Sequence, residues 1–217
     1  MMNSLFSTFD PMTMKLQLNW IMILISTMIL PMNFWISKSR LLMIKNLIEK
    51  NLMKEFKNIT HQKEILIMTK SMFLTILLMN FMGLMPYIFT PTSHIIISTS
   101  MALPMWLSLM IYGWMNFTNY MFSHLVPTGT PTAIMPMMIL IETIGNIIRP
   151  ISLSVRLTAN MIAGHLIMTL LGNINEMKTI MFILPIQILI MMFESTISII
   201  QAYVFSTLST LYSSEIP

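Results

Sequence analysis

The sequence predicts an all-α polytopic membrane protein: about five membrane-embedded helices plus one amphipathic interfacial helix, the last two helices forming a long, strongly tilted antiparallel hairpin. Three observations carry this expectation. Of 217 residues, 55% are hydrophobic and only 9% are charged, whereas soluble domains carry about 25% charged residues. Eight of the twelve Lys and Arg lie between residues 38 and 70. Two apolar runs near the C-terminus are far longer than a bilayer requires. The length suits a single membrane domain spanning 1–217.

The first span is expected at 16–37, where Asn19, Pro31 and Asn33 interrupt an apolar run that holds no charge. Segment 38–64 reads as an amphipathic helix. Leu41, Ile44, Ile48, Leu52, Phe56 and Ile59 recur at steps of three and four, opposite a basic face. Such a helix lies in the headgroup layer and is drawn to anionic lipid. The positive-inside rule puts it on the cytoplasm-like side and the N-terminus on the other. Spans at 71–89 and 95–115 follow, the second with Pro104 as a candidate kink. Residues 116–132 form a polar connection, and His94 and His124 read as loop residues. The runs 133–171 and 179–212 would be about 58 and 51 Å long as helices, so they must tilt or bend. Pro150 and Pro185 are candidate bend sites. Glu176 and Lys178 read as turn residues in water.

Polar residues on the hairpin point to function. Arg156 sits in a run otherwise apolar enough for lipid, where a central Arg costs about 2.5–3.5 kcal/mol on insertion scales. Ser152, Ala159, Asn160 and Ala163 share its face, and small residues let another helix approach. Glu142 projects within about 40° of Arg156, while His165 projects about 180° away. Glu142 and His165 are about 34 Å apart along the axis, with a fixed cation between them, which is not a continuous proton wire. In one antiparallel register Arg156 comes level with Gln201, and His165 with Glu194. A Glu–His pair can exchange protons near neutral pH, whereas Arg attracts a carboxylate but passes no proton.

The run Arg156-Leu157-Thr158-Ala159-Asn160-Met161-Ile162-Ala163-Gly164-His165, with Gln201-Ala202-Tyr203-Val204-Phe205 downstream, resembles the subunit a family of mitochondrial F-type ATP synthases. The stretch from Asn3 to Pro11 resembles its insect members, and the likeness covers essentially the whole chain. It implies a non-catalytic, proton-translocating stator subunit in the mitochondrial inner membrane. The N-terminus would face the intermembrane space and the C-terminus the matrix. Its implied partners are a ring of c subunits, other membrane and peripheral-stalk subunits, and the lipid bilayer. By the same resemblance, Arg156 matches the essential arginine, and His165 and Glu194 the intermembrane-side half-channel. Gln201 matches the glutamine near the arginine, Asn160 the asparagine of the pattern, and Glu142 the acid of the matrix-side exit. Arg149 stands where many relatives have a neutral residue, and reads as a structural charge.

No cofactor, metal or nucleic acid is expected. Cysteine is absent, the four histidines lack ligand spacing, and there is no GxxxxGK[ST] or GxGxxG motif. No signal or transit peptide is expected in Met1 to Pro11, which carries only Asp10 as a charge. The 28 methionines suggest an AT-rich code with expanded Met usage, as in animal mitochondria. A secondary transporter also uses buried charges, but no internal repeat accompanies them here. A purely structural anchor has no need of isolated charges at three membrane depths.

Overall fold

A computed structural model describes residues 5–12, 17–30, 39–60, 63–85, 88–126, 129–173 and 180–216. Among them the secondary structure is entirely helical. The N-terminal stretch holds a 3-10 turn, Leu5–Phe9. A second turn, Leu18–Trp20, runs into α1, Ile21–Met28. This apolar stretch is about 16 Å long, roughly half the bilayer core. The remainder of the expected first span, 31–37, lies outside the described residues, as does residue 16.

α2 is Arg40–Ile59, begun by Ser39, whose side chain accepts from the Leu42 amide. Its apolar stripe divides between two environments. Phe56 is fully buried, whereas Leu41, Ile44 and Ile48 are exposed. Leu42, which the three-and-four spacing left off the stripe, is buried instead. The cause is docking: α2 packs on α3 and α7, so one side faces protein along most of its length. Glu49 turns to that side and pairs with Lys70. Neutralised in this way, Lys70 sits within α3, Lys63–Gly83, a helix that starts well before residue 71. Lys63 and Glu64, expected at the end of the interfacial segment 38–64, thus begin α3 instead.

After a 3-10 turn at Pro91–Ser93, α4 runs Ile95–Asn116 and continues through Pro104. His94 occupies its N-cap position. A short helix, α5, Thr118–His124, lies in the stretch expected as a plain connection, so His124 is helical rather than a loop residue. α6, Met135–Asn173, and α7, Ile180–Ser214, are the two overlong helices, about 58 and 52 Å by their residue counts. Glu176 and Lys178 lie outside the described residues. α3, α4, α6 and α7 are each long and apolar enough to cross a membrane.

α7 packs most extensively on α3, and α6 on α4, while α6 and α7 also meet. The core joins all four: Phe73 and Ile76 of α3, Ala102 of α4, Leu153 and Leu157 of α6, Ala202 and Phe205 of α7. In lipid such contacts stabilise by van der Waals packing, because water is not being displaced, and small residues bring backbones close. Ala102 and Ala202 serve that end here. So does a buried hydroxyl row on α7, Ser206, Ser209, Thr210 and Ser213, each bonded to a carbonyl three residues back. Those bonds leave none of these four hydroxyls unsatisfied in the apolar interior.

Candidate proton-handling site

α6 has two faces. Leu153, Ser154, Leu157, Thr158 and Met161 turn into the bundle. Ser152, Arg156, Ala159, Asn160 and Ala163 are exposed. Arg156 has no hydrogen bond or ion pair among the described residues, and it stands on a strip of small side chains. The expected level pairing of Arg156 with Gln201 does not form. Gln201, nearly buried, accepts instead from Asn160 Nδ2 at 3.1 Å. The α7 glutamine is thereby bound to the residue one turn along α6 from the arginine.

Toward one end of α6 lies a cavity of about 560 Å³ lined by His165 and Glu194 among others. Gly164 makes it possible. A Cβ there would lie 2.9 Å from Glu194 Cδ and 3.0 Å from Oε1, so only glycine lets the α7 carboxyl rest against α6. His165 hydrogen-bonds the backbone of Gly83. Its Nε2 and Glu194 Oε1 are buried without a hydrogen-bond partner among the described residues. The two groups thus share one chamber rather than the direct pair expected from register. Buried polar atoms of this kind are satisfied by water where the space is large and polar enough.

The N-terminal stretch also reaches this chamber. Ser7, Thr8, Phe9, Asp10 and Met12 line it, and the Phe9 ring meets the His165 ring edge-on at 6.3 Å. Nothing in the hydrophobic pattern signals this; the isolated Asp10 was the one visible hint.

The opposite end of α6 holds Glu142, which lines a second cavity of about 420 Å³ with His124. Glu142 pairs with Arg149 Nη2 at 3.5 Å. Arg149 Nη1 donates to Glu215, and the guanidinium lies 5.0 Å from the Tyr212 ring centre. Arg149 is thereby bound on three sides, consistent with a structural charge. Glu215 escaped sequence reading because it follows the apolar run of α7, where a terminal carboxylate looks like a solvated end. Tyr203, on the same helix, donates to Glu55 of α2 at 3.1 Å. No group of three or more His, Asp or Glu able to hold a metal occurs among the described residues.

The arrangement is two cavities, each lined by a carboxylate and a histidine, at opposite ends of one long helix, with a cation on its open face that has no partner among the described residues. Comparison with known proteins gives a consistent result. Residues 12–214 match the family described as ATP synthase A chain. Proteins called ATP synthase subunit a are 52% identical in Locusta migratoria, 50% in Anopheles quadrimaculatus and 50% in Drosophila mauritiana, each over 100% of both chains. Full-length likeness at that level, on a bundle with four apolar spans, shows that the chain belongs to the ATP synthase A chain family, the proton-translocating subunit of the enzyme's membrane sector.

Proposed function

We propose that this chain forms two offset proton half-channels against a ring of c subunits, in the mitochondrial inner membrane. Protons enter by way of His165 and Glu194 from the intermembrane space, where the N-terminus lies. They leave past Glu142 to the matrix, where α2 and the C-terminus lie. The subunit conducts protons and does no chemistry on ATP. The exposed lysines of α2, Lys50, Lys54 and Lys57, support the orientation through the positive-inside rule.

The observation that carries the proposal is Arg156, charged, exposed, and without an acceptor among the described residues. A carboxylate in a low-dielectric site stays protonated unless a cation draws it into its ionised form. At about 4 Å and an effective dielectric of about 20, opposite charges attract by about 4 kcal/mol before desolvation. That equals about three pKa units, enough to release a proton from the rotor. Asn160 and Gln201 satisfy each other and leave the guanidinium available to a passing carboxylate. The contact must be loose, because a permanent bidentate pair would stop rotation.

The test is Arg156→Ala in the complex reconstituted into vesicles. Assembly is retained, and ATP synthesis driven by an imposed proton gradient is lost. Arg156→Lys does not restore it, because an ammonium lacks the planar fork. Normal coupled synthesis by Arg156→Ala would remove the centre of the reading.

A further inference from the structure

The N-terminal stretch is held against the His165–Glu194 cavity by a specific set of contacts. His94 Nε2 donates to the Phe9 carbonyl at 3.0 Å. That imidazole is itself packed against Trp20 and Phe89, with ring centres 5.2 and 5.4 Å away, and those two rings also meet each other. Asn19 Nδ2 donates to the Asp10 carbonyl at 3.3 Å. The Asp10 side chain closes a turn, its Oδ1 accepting the Met12 amide at 3.1 Å. Asp10 is exposed, yet it lines the same cavity as His165 and Glu194. A carboxylate is thus fixed on the outer lip of a chamber whose inner wall carries the two proton-handling groups.

We infer that Asp10 is a further proton-handling residue: it collects protons at the outer mouth of the His165–Glu194 cavity, on a wall built by the N-terminal segment. This rests on reading that cavity as the proton inlet. Asp10 takes a proton from a hydronium ion, leaving water, and returns to its carboxylate by protonating water on the cavity side. A single negative charge at the mouth of a cleft with low-dielectric walls also raises the local proton concentration. The titratable groups that face this region are Asp10, Glu194, His165 and His94.

The experiment uses the complete complex in vesicles, with ATP synthesis measured as the pH on the N-terminal side is varied at a fixed total driving force. Asn at position 10 keeps the turn-closing oxygen and removes only the charge and the exchangeable proton. Asp10→Asn is expected to slow synthesis up to about tenfold at high outer pH, the lower end of what charge at a cleft mouth does to encounter rates. The deficit closes as the outer side is acidified, when protons are plentiful, and shrinks in high salt. Asp10→Glu restores the high-pH rate. Unchanged synthesis in Asp10→Asn at every pH, with Glu194→Gln slow, would overturn the role of Asp10 and leave the inlet intact. Equal, pH-independent losses in Asp10→Asn and Asp10→Glu would also overturn it, by showing a merely structural turn. Normal synthesis in Glu194→Gln would instead overturn the inlet reading itself.

Discussion

Placing a methyl group on Gly164 tests whether the position of the Glu194 carboxyl sets the rate of proton passage. The alanine Cβ would lie 2.9, 3.0 and 3.1 Å from Glu194 Cδ, Oε1 and Cγ, whereas ordinary contact begins at 3.4 Å. The carboxyl must therefore retreat by about 0.5 Å. Overpacking a rigid core costs about 1–3 kcal/mol, but here the obstacle is the end of a flexible side chain, so the lower end applies and assembly persists. The functional cost is larger. A misplacement of about 1 Å can cost about 10²-fold at a reacting centre, and half that displacement about tenfold. Gradient-driven ATP synthesis by Gly164→Ala vesicles should fall by that factor at unchanged subunit content. A double-mutant cycle isolates the cause. In a Glu194→Ala background the three crowding atoms are absent, so adding Gly164→Ala should change the residual rate little. Equal factors in both backgrounds, or a normal rate in Gly164→Ala alone, would refute the steric argument.

The bond from Asn160 to Gln201 predicts that Asn160→Ala and Gln201→Ala are non-additive, with a coupling of about 0.6 kcal/mol and a ceiling near about 1.7 kcal/mol for bonds between membrane helices. Thermal stability of the purified complex measures it, and strict additivity would show the bond is not formed. Glu215→Gln leaves Arg149 with Glu142 and Tyr212; because both partners are partly exposed, the loss is about 1 kcal/mol or less, a Tm drop under about 4 °C. A drop far beyond that would mean Glu215 is buried in the assembled enzyme. Cysteine in place of Lys54, an exposed residue of α2, should react with a membrane-impermeant reagent from the matrix side alone; reaction from the other side would invert the proposed topology.

Composition and periodicity settled the class of this protein, because lipid admits few solutions. A chain with so few charges and two runs beyond bilayer length must form apolar helices that satisfy their own backbones. The face shared by Arg156, Asn160, Ser152, Ala159 and Ala163 was equally legible, since angular position on a helix depends only on residue number. Distances between helices were not. That Gln201 bonds Asn160 rather than Arg156 is decided by how α3, α6 and α7 interlock around Phe73, Leu157 and Phe205. Docking of α2 likewise chose Leu42 over Leu41 as an inward residue and supplied Glu49 to neutralise Lys70. Arg149's second carboxylate comes from Glu215, 66 residues later. The wall of the His165–Glu194 cavity comes from Ser7 to Met12, and the His94 bond to the Phe9 carbonyl spans 85 positions. Periodicity describes one helix at a time, so it orders residues around an axis; contacts between segments far apart in the chain exist only once the bundle has closed around its core.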